Sequence, residues 1–85
     1  MVKELSSKQR GLLLYCIRQH EPAIESQYNK LDSGFVDSAT INKMREAILQ
    51  EFTSKGLNPD YEPNGYGIEL ESLIDAVADV YLWPK

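Results

Sequence analysis

The sequence has little of what metal sites, disulfide scaffolds and membrane spans are built from. Its 85 residues include one cysteine and one histidine, so neither a disulfide within the sequence nor a site made of several thiolates can form. The longest apolar block, residues 12–17, is followed at once by Arg18. It is far shorter than the roughly 18 residues that a membrane-spanning helix needs. Without these features, the sequence is expected to form a small soluble domain.

The composition sets the expected size and location. With 42% apolar and 26% charged residues, the chain has the make-up of an ordinary globular domain. A chain of this length buries only about 60–65% of the surface of its unfolded form, which is room for one core. The sequence opens on charged and polar residues rather than an apolar segment with a cleavage site. We therefore expect no secretory signal and a cytoplasmic location.

Helix signals dominate the first part of the sequence. Ser6 and Gln9 have the spacing of a capping box, which predicts a helix start. Apolar residues then recur at steps of three and four as far as Leu31. Pro22 interrupts this periodicity, because its ring removes one backbone amide and clashes with the preceding turn. It predicts either a kink or a break near His20, with the proline in the first turn of a following helix. The continuing periodicity favours two nearly collinear helices.

Two further helices are predicted in the second part. Residues 32–34 are typical of a turn, and Asp37 is placed to cap a helix that ends at Gly56. We expect this glycine to adopt the left-handed backbone conformation of a helix stop. After a loop at residues 58–67, which is rich in proline and glycine, a last helix is predicted over about residues 68–81. The predicted fold is all-α, a bundle of three to four short helices in a single domain covering the chain.

Several single residues have a plain structural interpretation. Cys16 lies inside an apolar run and is expected to be a buried, inert thiol. His20 is expected to bond a nearby carbonyl at a helix end. Glu51 and Lys55 are four residues apart, which predicts an exposed ion pair. Trp83 is expected to fold back onto the edge of the core.

Acidic side chains accumulate toward the end of the sequence. Residues 57–84 contain no Lys or Arg. Their acidic members are Asp60, Glu62, Glu69, Glu71, Asp75 and Asp79. A field of one sign indicates either an external basic partner or a solvated helix that keeps a small protein soluble. On the last helix, Glu71, Asp75 and Asp79 form a stripe beside the apolar one, and we expect this stripe to face outward. A net charge of −4 argues against binding nucleic acid through its phosphates.

Residues 60–71 also resemble a calcium-binding EF-hand loop. Oxygen donors stand at loop positions one, three and five, with Gly65 at six and Glu71 at twelve. The match departs from the pattern at position three, where Glu62 is longer than the usual Asp or Asn. A proline at position four stiffens the loop, and a glycine replaces the apolar residue at position eight. A calcium-binding helix-loop-helix domain at residues 60–71 therefore stays an alternative.

The aromatic residues of this loop suggest a binding surface. Tyrosine combines a large apolar face with a hydroxyl group at low entropic cost, which favours its use in protein interfaces. We expect Tyr61 to face outward and Tyr66 to face the core. For catalysis, no Ser/His/Asp or Cys/His arrangement follows from the spacing. We therefore expect a protein that is not an enzyme and has no cofactor.

Residues 64–75 resemble a pattern of small bacterial immunity proteins, notably those paired with Maf-type polymorphic toxins. In that pattern a Tyr-Gly-x-x-Leu-Glu-x-Leu-x-Asp stretch opens a helix near the end of a short helical domain, and Tyr66, Glu71 and Asp75 match it. The resemblance implies a cytoplasmic antidote that occludes a toxin domain, often a basic nuclease, by binding its active face. The long loop before the stretch and the short tail after Asp79 depart from the pattern and leave the toxin class open.

The sequence thus predicts a non-enzymatic inhibitor that binds a basic protein partner, with neither nucleic acid nor a membrane as its target. Alternatives are the calcium-binding domain and a phage or mobile-element inhibitor that acts as an acidic mimic. The predicted partner-binding residues are Asp60, Tyr61, Glu62, Tyr66, Glu71, Asp75 and Asp79.

Overall fold

The fold is described by a computed structural model that covers residues 4–31 and 36–82. Its helices are α1 (Ser7–His20), α2 (Glu25–Tyr28), α3 (Ser38–Lys55) and α4 (Gly65–Tyr81), with a short 3₁₀ helix, Pro22–Ile24, between α1 and α2. No strand occurs in this part of the chain, which confirms the predicted all-α fold. The turn predicted at residues 32–34 and the packing predicted for Trp83 lie outside the described residues.

The predicted start and end of α1 are both confirmed. The Ser6 hydroxyl oxygen accepts from the Gln9 amide at 3.1 Å, and the Gln9 side chain accepts from the Ser6 amide at 2.9 Å. These two bonds satisfy backbone donors that have no partner inside the helix. α1 ends at His20, and Pro22 opens the 3₁₀ helix. The proline stands where its missing amide costs no helical hydrogen bond.

α3 is the central helix and packs against both α1 and α4, which approach each other less closely. The two helices α3 and α4 run antiparallel, since Gly56 lies against Gly67 at one end and Arg45 reaches the Ile74 carbonyl farther along. The buried apolar residues are Leu5, Leu13, Cys16, Ile17, Leu31, Ile41, Met44, Ala47, Ile48, Leu70, Leu73, Val77 and Ala78. Among the described helices, none has the length and apolar character needed to cross a membrane.

Cys16 lies within this core, as predicted. Burial raises the pKa of its thiol to about 12, and the nearby negative charge of Glu51 adds to the shift. The thiol is therefore protonated at neutral pH, and a protonated thiol is a poor nucleophile.

Gly56 ends α3, but the predicted left-handed conformation is wrong. Its φ of −92° and ψ of 2° lie outside the left-handed region. The glycine is needed for another reason, because the backbones of Gly56 and Gly67 touch. A Cβ atom placed on Gly67 would lie 2.1 Å from the carbonyl oxygen of Gly56. The close approach of two chain segments, rather than the handedness of a turn, requires these glycines.

α4 begins three residues earlier than predicted, at Gly65. The side-chain oxygen of Asn64 accepts a 2.8 Å hydrogen bond from the Gly67 amide, so Asn64 is the N-cap. The loop predicted at residues 58–67 therefore ends at Asn64. The many glycines and prolines of this segment are typical of a loop. They led the prediction away from Asn64, although asparagine is a residue that commonly caps a helix start.

Candidate functional site

Asn64 joins the end of α3 to the start of α4. Besides capping α4, its side-chain amide donates to the Lys55 carbonyl at 3.0 Å. Its backbone amide donates to the Gly56 carbonyl at 2.9 Å. One residue thus satisfies polar groups at both helix ends, which otherwise lack intrahelical partners. The base of the loop between the two helices is fixed by these bonds.

The tip of the same loop is closed by its own hydrogen bonds. The Asn58 amide donates to the Glu62 carbonyl and the Tyr61 amide donates to the Asn58 carbonyl, both at 2.8 Å. One carboxylate oxygen of Asp60 accepts from the Glu62 amide at 3.1 Å. This is the local side-chain to backbone bond that aspartate commonly forms in turns. The tip is therefore an ordered turn that carries Asp60, Tyr61 and Glu62 on the surface.

Tyr61 occupies the tip in a backbone conformation that tyrosine rarely adopts. Its φ is +66°, and no other non-glycine residue of the described chain has a positive φ. This conformation costs an L-residue roughly 1–2 kcal/mol. The side chain is 83% exposed, so core packing does not offset the cost. Strain that the fold maintains without gaining burial is typical of binding and active sites. The predicted outward position of Tyr61 is confirmed.

Behind the loop, Glu51 is a buried carboxylate and not the exposed partner that the sequence predicted. Its side chain is only 1% exposed. One oxygen lies 2.8 Å from His20 Nε2, and the other accepts a 2.7 Å hydrogen bond from the Tyr66 hydroxyl. The ammonium group of Lys55 is 4.0 Å from the second oxygen. His20 therefore contacts a carboxylate and not the carbonyl that was predicted.

The partners of Glu51 keep it charged. Burial alone would raise the pKa of its carboxyl group, but hydrogen bonds from His20 and Tyr66, together with the charges of Lys55 and His20, outweigh burial and lower the pKa. An ionised carboxylate can only accept hydrogen bonds, so His20 Nε2 carries the hydrogen and donates it. Burial and the bond to Glu51 raise the pKa of the Tyr66 hydroxyl, which therefore stays a donor. Both carboxylate oxygens of Glu51 thus accept a hydrogen bond, one from His20 and one from Tyr66.

The cluster of Glu51, His20 and Tyr66 holds three helices together beneath the loop. His20 ends α1, Glu51 lies near the end of α3, and Tyr66 is the second residue of α4. A signal for Glu51 was present in the sequence, because it follows Ile48 by three residues and Met44 by seven and so shares their buried face. The inward position predicted for Tyr66 is confirmed, since its half-buried side chain bonds Glu51. Tyr66 is thus separated from the other predicted binding residues.

The acidic residues of α4 differ in their surroundings. Glu69 pairs with Lys8 of α1 at 2.8 Å. Glu71 and Asp75 are exposed, and neither forms an ion pair with another described residue. Asp79 is half-buried. Of the predicted acidic stripe, Glu71 and Asp75 therefore face outward and remain available on the outer face of α4, whereas Asp79 is less exposed than predicted.

The donors of the alternative calcium loop are largely used for other purposes. Asp60 accepts from the Glu62 amide, and the Asn64 side chain caps α4. The helix begins at loop position six, which places Glu71 in its second turn. In residues 4–31 and 36–82, no group of three or more His, Cys, Asp or Glu is arranged to hold a metal ion.

Comparisons of this chain with protein-family models, with curated proteins and with solved structures find no match. The candidate binding surface consists of the loop tip, with Asp60, Tyr61 and Glu62, and the outer face of α4, with Glu71 and Asp75. It combines an exposed aromatic ring with carboxylates, a combination that can anchor a protein partner and attract its cations.

Proposed function

We propose that this chain is a non-enzymatic inhibitor that binds a basic protein, and specifically a bacterial immunity protein that neutralises a basic toxin domain in the cytoplasm. It would act by covering the active face of the toxin. The likeness of residues 64–75 to immunity proteins of Maf-type toxin systems supports this assignment. The negative net charge favours a basic protein over nucleic acid as the target.

The observation that carries the proposal is the conformation of Tyr61. An exposed tyrosine held at a φ of +66° has no role in the core. A pre-ordered aromatic anchor loses little entropy when a partner covers it, so it contributes strongly to affinity. The loop hydrogen bonds fix the backbone that carries the ring, next to Asp60 and Glu62 in the sequence. This arrangement fits a target that presents an apolar pocket bordered by Lys or Arg.

The carboxylates of α4 supply the long-range part of the interaction. Glu71 and Asp75 face solvent, and a negative surface accelerates the encounter with a positive partner. Their main effect is expected on the association rate and on its dependence on salt, because exposed charges steer the encounter more than they stabilise the complex. The ring of Tyr61 is expected to control the dissociation rate.

The test uses the product of the gene that lies directly upstream of the one encoding this chain. We expect that product to arrest growth when it is expressed alone, and this chain to restore growth when the two are co-expressed. Purified proteins should then form a complex. Tyr61→Ala should weaken the complex and reduce growth protection.

A matched pair of charge reversals tests the acidic face. Asp75→Lys should slow association about tenfold at low salt. Glu46→Lys makes the same change of net charge at an exposed residue of α3 and should have a smaller effect. Equal rates for the two variants would exclude the outer face of α4 as the binding surface. An upstream product that is neither toxic nor bound would overturn the proposed function, and a phage early operon at that locus would favour the acidic mimic.

A further inference from the structure

A cleft lies between α1 and α4, on the side where these two helices are not in close contact. Lys8, Gln9 and Leu12 of α1 and Ile68, Glu69 and Ser72 of α4 line this cleft, which has a volume of about 180 Å³. Ile68 is 58% exposed there, although most large aliphatic residues of the described chain are buried. The cleft therefore has an apolar floor open to solvent.

A second depression continues the cleft along α4. It has a volume of about 540 Å³ and is lined by Ser72, Asp75, Ala76 and Asp79. Ser72 lines both depressions, so the cleft opens onto an exposed face of α4, and we call the surface from Ile68 to Asp75 the track. Ile68, Ser72, Asp75 and Asp79 follow one another at helical spacing. With a rise of 1.5 Å per residue, Ile68 and Asp75 are separated by roughly 10 Å along the helix axis.

The two ends of the track differ in charge. At the apolar end, Glu69 is paired with Lys8 at 2.8 Å, so the rim is neutral. At the other end Asp75 is exposed and forms no ion pair within residues 4–31 and 36–82. An occupant of this track must present an apolar side chain at one end and a cation about 10 Å away at the other.

We propose that the track from Ile68 to Asp75 seats an amphipathic helix of a basic protein. An apolar side chain of that helix packs against Ile68 and Leu12, and a Lys or Arg two turns away pairs with Asp75. Two helical turns cover roughly 10 Å, which matches the spacing of the track. Helices commonly bind other proteins through apolar anchors on one face. The inference rests on the proposed function, since it specifies where the basic partner docks.

The experiment uses the full chain and two synthetic peptides. Each peptide is a capped, alanine-rich helix with one leucine and two arginines, which lie seven and eleven residues from the leucine. In one peptide the arginines follow the leucine, and in the other they precede it, so that the helix can bind in either direction along the track. At least one peptide should bind in calorimetric titration and shift the NMR signals of the Ile68 methyl groups. Ile68→Ser should weaken this binding about tenfold, because burial of an aliphatic side chain contributes that much.

Leu49→Ser is the matched control, because Leu49 is 50% exposed and borders a different depression between α3 and α4. It should change the affinity by less than about twofold, and a peptide with glutamates in place of the arginines should not bind. The absence of binding by both peptides at millimolar concentration would overturn the inference. Peptide binding that depends on Tyr61 and not on Ile68 would overturn it equally.

A second copy of the chain is the alternative occupant of the track. Sedimentation should show a species of 9.7 kDa. A species of twice that mass that Ile68→Ser converts to monomer would assign the track to self-association and refute the inference. The proposed function is judged separately by growth protection. If Ile68→Ser still protects cells as well as the unmodified chain does, the function stands and the docking site is wrong.

Discussion

The hydroxyl of Tyr66 donates a 2.7 Å hydrogen bond to the buried carboxylate of Glu51. This bond links the first turn of α4 to the last turns of α3, directly behind the loop that carries Tyr61. His20 bonds the other oxygen of the same carboxylate. Three helices therefore depend on one charged group that is removed from solvent, and the position of the candidate binding surface depends on that group.

Removal of the Tyr66 hydroxyl should destabilise the fold. A buried carboxylate that loses one donor retains the cost of its desolvation. We expect Tyr66→Phe to lower the free energy of unfolding by about 1–3 kcal/mol in urea denaturation followed by circular dichroism. Tyr61→Phe removes the same hydroxyl from an exposed ring and should change stability by less than about 0.5 kcal/mol. Equal effects of the two variants would contradict the structural role of the bond.

Acid should destabilise the protein through Glu51. The pKa of this group in the folded state is lower than its ordinary value of 4.5, so its ionised form stabilises the fold at pH above that value. This stabilisation is lost as the pH falls through the folded-state pKa. We expect the free energy of unfolding to decrease below about pH 5, and to decrease less steeply in Glu51→Gln. Glu46→Gln, at an exposed site, should keep the original pH dependence.

The contact between Gly56 and Gly67 predicts a strong difference between two glycine substitutions. In Gly67→Ala the new methyl group would meet the Gly56 carbonyl, and the helices would have to separate. We expect a loss of about 3 kcal/mol of stability. Gly65→Ala introduces the same methyl group two residues away. There, apart from its sequence neighbours and the backbone of its own helix turn, no atom of the described chain lies within 4 Å. Gly65→Ala should raise the free energy of unfolding by roughly 0.4–1 kcal/mol. Urea denaturation followed by circular dichroism measures both variants.

The strain at Tyr61 predicts opposite effects on stability and on binding. Asparagine tolerates the left-handed conformation better than tyrosine does. Tyr61→Asn should therefore stabilise the free protein by about 0.5–1 kcal/mol while it weakens the complex with the partner. Glu62 is a neighbouring residue without a positive φ, so Glu62→Asn should not raise the stability of the free protein. A stability decrease in Tyr61→Asn would show that the ring supports the fold.

Calcium should leave the protein unchanged. The donors of residues 60–71 are used in a turn and a helix cap, so binding would require the start of α4 to unwind. We expect no change in tyrosine and tryptophan fluorescence or in amide NMR shifts up to millimolar calcium. Saturable shifts confined to residues 60–71 would establish the calcium-binding alternative.

Local chemistry was enough to predict much of the fold. The capping box at Ser6, the cap at Asp37 and the break at Pro22 each depend on neighbouring residues, and all three are present in the structure. The failures at Gly56 and Glu51 have a common origin. Each residue acts through a contact with another helix. Periodicity within α3 places Glu51 on the buried face, but it does not identify the partners in α1 and α4 that allow a carboxylate to lie there.

The candidate surface was predictable only in part. The sequence predicted Tyr61 outward, where a tyrosine suits a binding surface, and Tyr66 inward, where it holds the loop on the core. It also predicted the carboxylates of α4 as exposed. It did not predict that Glu69 pairs with Lys8 or that Asp79 is half-buried, because both depend on how α4 packs against the rest of the chain. The strain at Tyr61 had no sequence signal, since tyrosine is rarely found at positive φ.

The bonds from Asn64 to both helices separate the loop tip from the rest of the domain. The segment from Asn58 to Glu62 can be exchanged for another turn of equal length while the helices keep their packing, because no core residue lies within it. Under the proposed function, replacement of a few residues at the tip would change specificity on a constant scaffold. A family of chains that share these helices and differ at the tip could recognise different targets.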